Sequence, residues 1–171
     1  NRMNMVTVYR FSFALCLEMK HSAIAKKVVI GFDGRNLSRD FAYEAAHVLS
    51  AQGAEVHLFN ESVPTPLCAY AVKNLQASFG VMITASHNPA YDNGIKLFQK
   101  SSAQAYGKIL HRLESYMVSA PLRTDFMRSS ASSKNAIQQV PEHVFSGYLD
   151  EIKTTRFFDQ PCSDDVPIVY T

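Results

Sequence analysis

Cysteine is scarce: Cys16, Cys68 and Cys162 are the only three in 171 residues, and the number is odd. None forms a C-x-x-C pair or sits at a Cys/His ligand spacing, so a disulfide framework and a zinc site both lack their signature. This usage points to a reducing cytoplasm. An excess of charge is lacking as well. With 17 basic and 15 acidic side chains the net charge is +2, too balanced to imply a nucleic-acid or membrane partner. Any anion the protein binds has to be held locally. Nor is there a clean apolar leader. Residues 5–19, MVTVYRFSFALCLEM, come nearest to one, but Arg10 interrupts them, Glu18 and Lys20 load their end, and no small-residue cleavage pattern follows. Internal repeats are absent too.

What is present describes a globular chain of about one domain, with 47 % hydrophobic and 19 % charged residues. The first residue is Asn1 rather than Met, and the last five, PIVYT, read as a strand without a following connection. These ends carry the expectation of a truncated fragment of a multidomain protein.

Met5, Val8, Tyr9, Leu15 and Met19 recur at near-helical spacing and predict a mostly buried helix. KKVVIGFDGR then reads as a central strand ending in a polar turn. Ser38 as N-cap, Asp40 in the first turn and the stripe Phe41, Ala45, Val48, Leu49 predict a second helix, which Gly53 ends. EVHLF is the next strand. Thr65 and Pro66 form an N-cap and N1 pair ahead of Leu67, Ala71 and Leu75, and this third helix is expected to run on toward Gly80.

Strand alternating with helix at these lengths predicts parallel strands joined by right-handed crossovers, a three-layer α/β/α domain. The strand Gly94 to Phe98 follows its predecessor too closely for a helical crossover, so it is expected to run antiparallel and complete a four-stranded mixed sheet. Further helices are expected around Ile109–Met117 and from Pro141 through Ile152. Between them, SAPLRTDFMRSSASSKN has no apolar period and reads as a surface loop. The domain is taken as residues 1–158, with residues 159–171 as a linker and the first strand of a following domain.

In an open parallel sheet the ligand crevice lies beyond the carboxyl ends of strands, where chain order reverses. Two loops fall there: FDGRNLSR, with Asp33, Arg35 and Arg39, and TASHNP, with Ser86, His87 and Asn88. A serine on such a loop serves as a nucleophile, as a phosphate carrier or simply as a turn-former, since Ser, Asn and Pro are all common in turns. No G-x-S-x-G elbow surrounds Ser86, which weakens a hydrolase triad. Lys96 alternates with Ile95 and Leu97 and shares a face with Phe98, so a rigid strand presents its ammonium group. It reads either as a charged guard on an edge strand or as a proton carrier beside a phosphate.

These residues carry a resemblance. TASHNPAYDNGIK is similar to the active-site signature of the α-D-phosphohexomutase family, the phosphoglucomutases and phosphomannomutases. VVIGFDGR and VPTPLCAYAV fall where that family's first domain has its strand-one loop and its T-P helix. The resemblance implies a cytoplasmic isomerase that moves a phosphoryl group between two hydroxyls of a hexose or pentose phosphate by way of a bisphosphate. Ser86 matches the phosphoserine, a phosphate oxygen of which also ligates Mg2+. Lys96 matches the general acid/base; His87, on the same loop, is a further catalytic candidate, as a hydrogen-bonding scaffold or a proton carrier; and Asn88, with Asp33 and Arg35 of the supporting loop, is expected to bind phosphate. The partners it implies are a phosphosugar substrate, a sugar bisphosphate activator and downstream domains of the same protein.

The family's aspartate-rich magnesium loop, D-G-D-G-D, has no counterpart here, because no D-x-D occurs in the chain. The sugar-recognition loop and the carboxy-terminal phosphate-binding domain are likewise missing. VPIVYT resembles the opening strand of the family's second domain. The remaining Mg2+ ligands are therefore expected outside this chain, and the fragment alone is expected to be inactive; a non-catalytic binding or scaffold role is the alternative.

Overall fold

The computed structural model describes residues 3–124, 126, 137–155 and 167. Helix α1 (Met5–His21) starts at Asn4, whose side chain accepts a hydrogen bond from the Thr7 amide at 3.0 Å and satisfies one of the orphan donors of the first turn. Strand β1 (Lys27–Phe32), helix α2 (Ser38–Ala51), strand β2 (Glu55–Leu58), helix α3 (Thr65–Asn74) and strand β3 (Phe79–Ile83) follow in the expected alternation. Strand β4 (Ile95–Gln99), helix α4 (Lys108–Val118), strand β5 (Ile137–Gln139) and helix α5 (Glu142–Thr154) complete it.

The sheet has five strands in the order β4-β3-β1-β2-β5, not the four expected from sequence. β1 pairs in parallel with both β2 and β3, and β4 runs antiparallel to β3 with Met82 opposite Lys96. The extra strand pairs in parallel with the open edge of β2, Val56 opposite Ile137, and the Val140 amide extends the ladder to the Leu58 carbonyl at 3.1 Å. Three residues with a single apolar side chain are too few to show alternation, so the edge of β2 selects this strand rather than any pattern of its own.

Strand alternation sorts the core into two layers. Val28 and Ile30 face α1, α2 and α4, in a cluster with Leu15, Met19, Leu49 and Leu113. Val29 faces the other side, with Leu67 and Val72 of α3, Met82, Phe98, and Val144 of α5. Leu15 and Ile30 are wholly buried, and truncating either to Ala is expected to cost about 2–5 kcal/mol in transfer and cavity terms.

Three local expectations are corrected. Ser38 lies inside α2 and caps nothing; the preceding Leu37 takes the cap position in a left-handed conformation with φ 62°, while the Ser38 hydroxyl turns to Asp33. Thr65 is likewise the first residue of α3 after an extended Pro64. That helix ends at Asn74, capped by Leu75, rather than at Gly80, because Gln76 breaks it with φ 53°. Gly80 sits within β3, where its missing side chain gives Val72 of α3 room against the strand.

The segment read as a surface loop is partly docked. The Arg123 guanidinium meets Glu44 of α2 at 2.7 and 2.9 Å, and Phe126, 5 % exposed, packs on Tyr9 and edge-on to Phe13. The expected linker and following strand at residues 159–171 lie outside the described residues, Pro167 apart. Among the described residues no helix is long and apolar enough to cross a membrane.

Candidate functional site

α2 carries the chain from β1 to β2 over one face of the sheet, and α3 carries it from β2 back past β1 to β3 over the other. Chain order therefore reverses between β1 and β3, and the loops leaving their carboxyl ends stand side by side. One loop holds Asp33 and Arg35; the other runs from Thr84 to Gly94.

The second loop is pinned at its neck, where the Thr84 amide donates to the Gly94 carbonyl at 3.0 Å. A Cβ on Gly94 would stand 3.0 Å from the Thr84 carbonyl oxygen, tighter than an ordinary contact, so glycine spares this neck a crowded approach. Inside the neck, the Asn88 amide donates to the Ala85 carbonyl at 3.0 Å and the Asp92 amide to the Pro89 carbonyl at 2.9 Å, which folds the loop into successive turns. Ser86 occupies the left-handed region with φ 55°, uncommon for a residue with a Cβ, and is exposed. Its amide donates to the Thr84 hydroxyl oxygen at 3.0 Å.

Arg35 fastens this loop from below. One terminal nitrogen donates to the carbonyls of Asn88 at 3.0 Å and Pro89 at 2.7 Å, with Asp92 at 3.4 Å, while the other donates to the Ser86 carbonyl. Its Nε donates to Asp33 Oδ2 at 3.0 Å, and the two side chains are only 13 % and 23 % exposed. A planar fork with five donors suits several carbonyls at once in a way an ammonium group does not.

Asp33 is the hub beneath. Its Oδ1 accepts from the Ser38 hydroxyl at 2.7 Å and from the Arg35 amide at 3.2 Å. Burial pushes this carboxyl up, but the hydrogen bonds from Thr84, Ser38 and the Arg35 amide, together with the Arg35 charge, outweigh it and hold it below the usual range. Asn93 ties the far end of the loop to the same knot. Its Nδ2 donates to the Ser38 hydroxyl at 2.9 Å and the Asn36 carbonyl at 3.1 Å, and its Oδ1 accepts from the Gly94 amide at 3.0 Å.

Of the residues picked from sequence, Asp33 and Arg35 are thus brought together with the backbone of Ser86 and Asn88. Their polar atoms are directed at one another and at the loop, which makes them a support for the serine. His87 and the Asn88 side chain are exposed. Lys96 is half-buried on β4, on the face it shares with Phe98 and Met82, while Ile95 and Leu97 join the opposite layer. Thr84, Ser38 and Asn93 were missed. A threonine ending a strand, a serine opening a helix and an asparagine before glycine each have a local explanation, and only the tertiary contacts of Ser38 and Asn93 tie the two loops together.

Beside the knot, between the loops that follow β1 and β2, lies an open crevice of about 410 Å³ bordered by Asp33, Arg35, Arg39, Asn60 and Ser62. The Arg39 guanidinium lies 5.5 Å from the centre of the Tyr43 ring. Among the described residues no group of three or more His, Cys, Asp or Glu side chains converges as a metal cage would require. The nearby Asp33 carboxylate is engaged by Arg35 and Ser38, so these residues do not by themselves fit a magnesium site.

Fold and loop together define a doubly wound α/β/α domain that presents a serine at its switch point. The phosphoglucomutase/phosphomannomutase alpha/beta/alpha domain I pattern matches residues 1–122, and the chain belongs to that family. It is 33 % identical over 173 residues to a phosphoglucomutase of Staphylococcus haemolyticus, covering 99 % of this chain and 31 % of that protein. It is 41 % identical over 113 residues to a phosphopentomutase of Mus musculus, covering 61 % of this chain and 18 % of that one. A solved chain from Thermus thermophilus superposes with a TM-score of 0.75 at 25 % identity, over 90 % of this chain and 32 % of that chain. The chain therefore spans about a third of the length of these relatives, or less.

Proposed function

We propose that this chain supplies the phosphoserine-bearing part of a phosphosugar mutase, with Ser86 as the phosphoryl carrier. The observation that carries the reading is the left-handed, exposed Ser86, fastened by Arg35 and Thr84 at the switch point of the sheet, within the stretch TASHNPAYDNGIK. Family membership and the names of the relatives support the same reaction class.

In this mechanism the phosphoryl group on Ser86 Oγ moves to a free hydroxyl of a sugar monophosphate. The P–O bond to the serine breaks, a P–O bond to the sugar forms, and a basic group takes the hydroxyl proton. Lys96 is assigned that proton. The bisphosphate then reorients and returns its other phosphoryl group to Ser86, leaving the isomeric monophosphate. Such transfer depends on alignment and on neutralising charge at the transferring oxygens. Arg35 and Asp33 act on alignment, while His87 and Asn88 line the loop as hydrogen-bonding groups for phosphate. Magnesium, when bound, supplies the charge neutralisation; Ser86 through its phosphate is one ligand in this reading, and the rest come from beyond this chain. The substrate class is a hexose or pentose monophosphate, with the corresponding bisphosphate as activator and the cytoplasm as compartment.

The test is a chimera in which this chain replaces the matched segment of the staphylococcal phosphoglucomutase. With glucose 1-phosphate, glucose 1,6-bisphosphate and magnesium, the folded chimera is expected to turn over and to carry phosphate on Ser86, while the chain alone shows negligible isomerisation. Ser86→Ala in the chimera is expected to lose both turnover and phosphate with the fold intact. Phosphoenzyme that persists in Ser86→Ala would remove Ser86 from this role.

A further inference from the structure

The two oxygens of the Asp33 carboxylate hold opposite ends of the serine loop. Oδ2 takes Arg35 Nε at 3.0 Å, and the terminal nitrogens of that guanidinium donate to the carbonyls of Ser86, Asn88 and Pro89. Oδ1 takes the Ser38 hydroxyl at 2.7 Å, and the Ser38 oxygen in turn accepts from Asn93 Nδ2 at 2.9 Å. A hydroxyl has one proton and a carboxylate only accepts, so Ser38 gives that proton to Asp33 and turns a lone pair to Asn93. The Asn93 carboxamide fits this partner in one orientation: Nδ2 also donates to the Asn36 carbonyl at 3.1 Å, and Oδ1 accepts from the Gly94 amide at 3.0 Å. Ser38 is wholly buried, so water does not compete for its two bonds.

We propose that Ser38 and Asn93 are positioning residues for the Lys96 end of the serine loop, as Arg35 is for the Ser86 end, with Asp33 as their shared anchor. The tie itself is independent of any reaction; its consequence for chemistry rests on Ser86 as phosphoryl carrier and Lys96 as proton acceptor. The ladder between β3 and β4 sets Lys96 opposite Met82, and it runs out at the Thr84 amide and the Gly94 carbonyl, 3.0 Å apart. Asn93 stands just past that pair, and its side chain fastens the returning chain to the loop that follows β1. Without this tie the neck can widen while Arg35 still grips Asn88 and Pro89. Held at both ends, the serine and the strand that carries the lysine keep one spacing, and phosphoryl and proton transfer between them tolerate little misalignment. Ser38→Ala removes only the hydroxyl and puts a better helix former at the first residue of α2, so helix propensity does not contribute to the loss.

Backbone amide exchange in the 171-residue chain, followed residue by residue by NMR at neutral pH, reads the two ends separately. The Thr84 amide, bonded to the Gly94 carbonyl, reports the neck; the Asn88 amide, bonded to the Ala85 carbonyl, reports the serine end. Ser38→Ala is expected to speed exchange at Thr84 by about tenfold, the order that one net hydrogen bond represents, and to move Asn88 much less. Asn93→Ala is expected to do the same and decides the matter if Ser38→Ala does not fold. Arg35→Lys is expected to give the reverse pattern, and Asp33→Ala to deprotect both amides. In the staphylococcal chimera, Ser38→Ala is expected to lower kcat by about tenfold with KM little changed, because alignment is lost and substrate binding is not. Unchanged Thr84 exchange in the folded variants, or Asn88 loosened as much as Thr84, would overturn the division of the loop. An unchanged kcat, or a loss carried by KM, would overturn the positioning role. Failure of the mutase reading would appear instead as an unsubstituted chimera that folds but neither turns over nor carries phosphate on Ser86, an outcome the exchange pattern does not depend on.

Discussion

Arg35 and Asp33 face each other at 3.0 Å through Nε and Oδ2, and this pairing leaves both terminal nitrogens of the guanidinium free to reach the carbonyls of the serine loop. The carboxylate orients the fork, and the fork orients the loop.

Arg35→Lys is therefore not a conservative change. A single ammonium group cannot address Asp33 and the separate carbonyls of Ser86, Asn88 and Pro89 together. The variant is expected to lose about 1–3 kcal/mol of stability, the range for hydrogen bonds to a charged group, and to open the loop between Thr84 and Gly94. Urea unfolding reads the first effect and limited proteolysis with mapping of the cut sites the second. Cleavage confined to other loops, at the wild-type rate, would contradict the clamp.

A different ion pair contributes to the acid response. Glu18 of α1 has a side chain only 3 % exposed, and its carboxylate receives Arg112 Nε at 2.9 Å and the Arg112 terminal nitrogen at 2.6 Å, with the Ser22 hydroxyl at 2.9 Å. The Arg112 hydrogen bonds pull this carboxyl down, burial opposes them, and Ser22 adds to the lowering, so it titrates below its ordinary value of 4.5. A carboxyl lowered on folding contributes stability that is complete above its unfolded pKa and disappears as pH falls through the folded one. Glu18→Gln is expected to cost about 2 kcal/mol at neutral pH. The gap to wild type should shrink on acidification below pH 4.5. Denaturant midpoints measured at several pH values check the sign; a gap that widens in acid would refute it.

Much of this architecture is written in the chain because the two central strands, β1 and β3, are short, largely apolar runs closed by polar turns. Lys27–Phe32 and Phe79–Ile83 are buried on both faces, so their composition alone marks them as central. Ile137–Gln139 is not legible in the same way, since an edge strand of one apolar and two polar residues owes its conformation to its neighbour. The site divides along the same line. Ser86, His87 and Lys96 stand out as exposed or charged groups at a strand end. Asp33 and Arg35 were picked out as the supporting loop, but their contacts with each other and with the carbonyls of the serine loop are tertiary and cannot be read from sequence. Ser38 looked like a helix cap because a serine hydroxyl can accept from an amide, as a cap does, or donate to a carboxylate, as it does here to Asp33 at 2.7 Å, and sequence does not say which.

The two described cysteines have been made inert by burial. Cys16 and Cys68 are free and almost without exposure, and burial pushes each thiol up to about 12, with Lys26 offsetting it slightly at Cys16 and the Gly31 backbone at Cys68. Iodoacetamide at mildly alkaline pH, followed by peptide mass spectrometry, is expected to leave both unmodified in the native chain and to label both in urea. Labelling of either one at the rate of a free thiol, under conditions where the fold persists, would contradict this packing.

Gly80 offers a cleaner test of how α3 seats on the sheet. A Cβ built there would collide with Cγ2 of Val72 and would touch Phe98 Cβ on the neighbouring strand, so Val72 or the helix that carries it has to give way. Gly80→Ala is expected to destabilise by about 1–3 kcal/mol, the usual cost of overpacking, despite the better strand propensity of alanine. Val72→Ala alone is expected to destabilise as well, because it leaves a void in the layer shared by Val29, Leu67 and Met82. In the double variant the new methyl group occupies part of that void, and the two costs should not add. The coupling, measured by urea unfolding of all four proteins, is expected at about 1 kcal/mol or more in the compensating direction, as for residues in direct contact. Additive costs would mean that α3 shifts away from β3 to admit the alanine, and that the helix is seated by contacts other than this one.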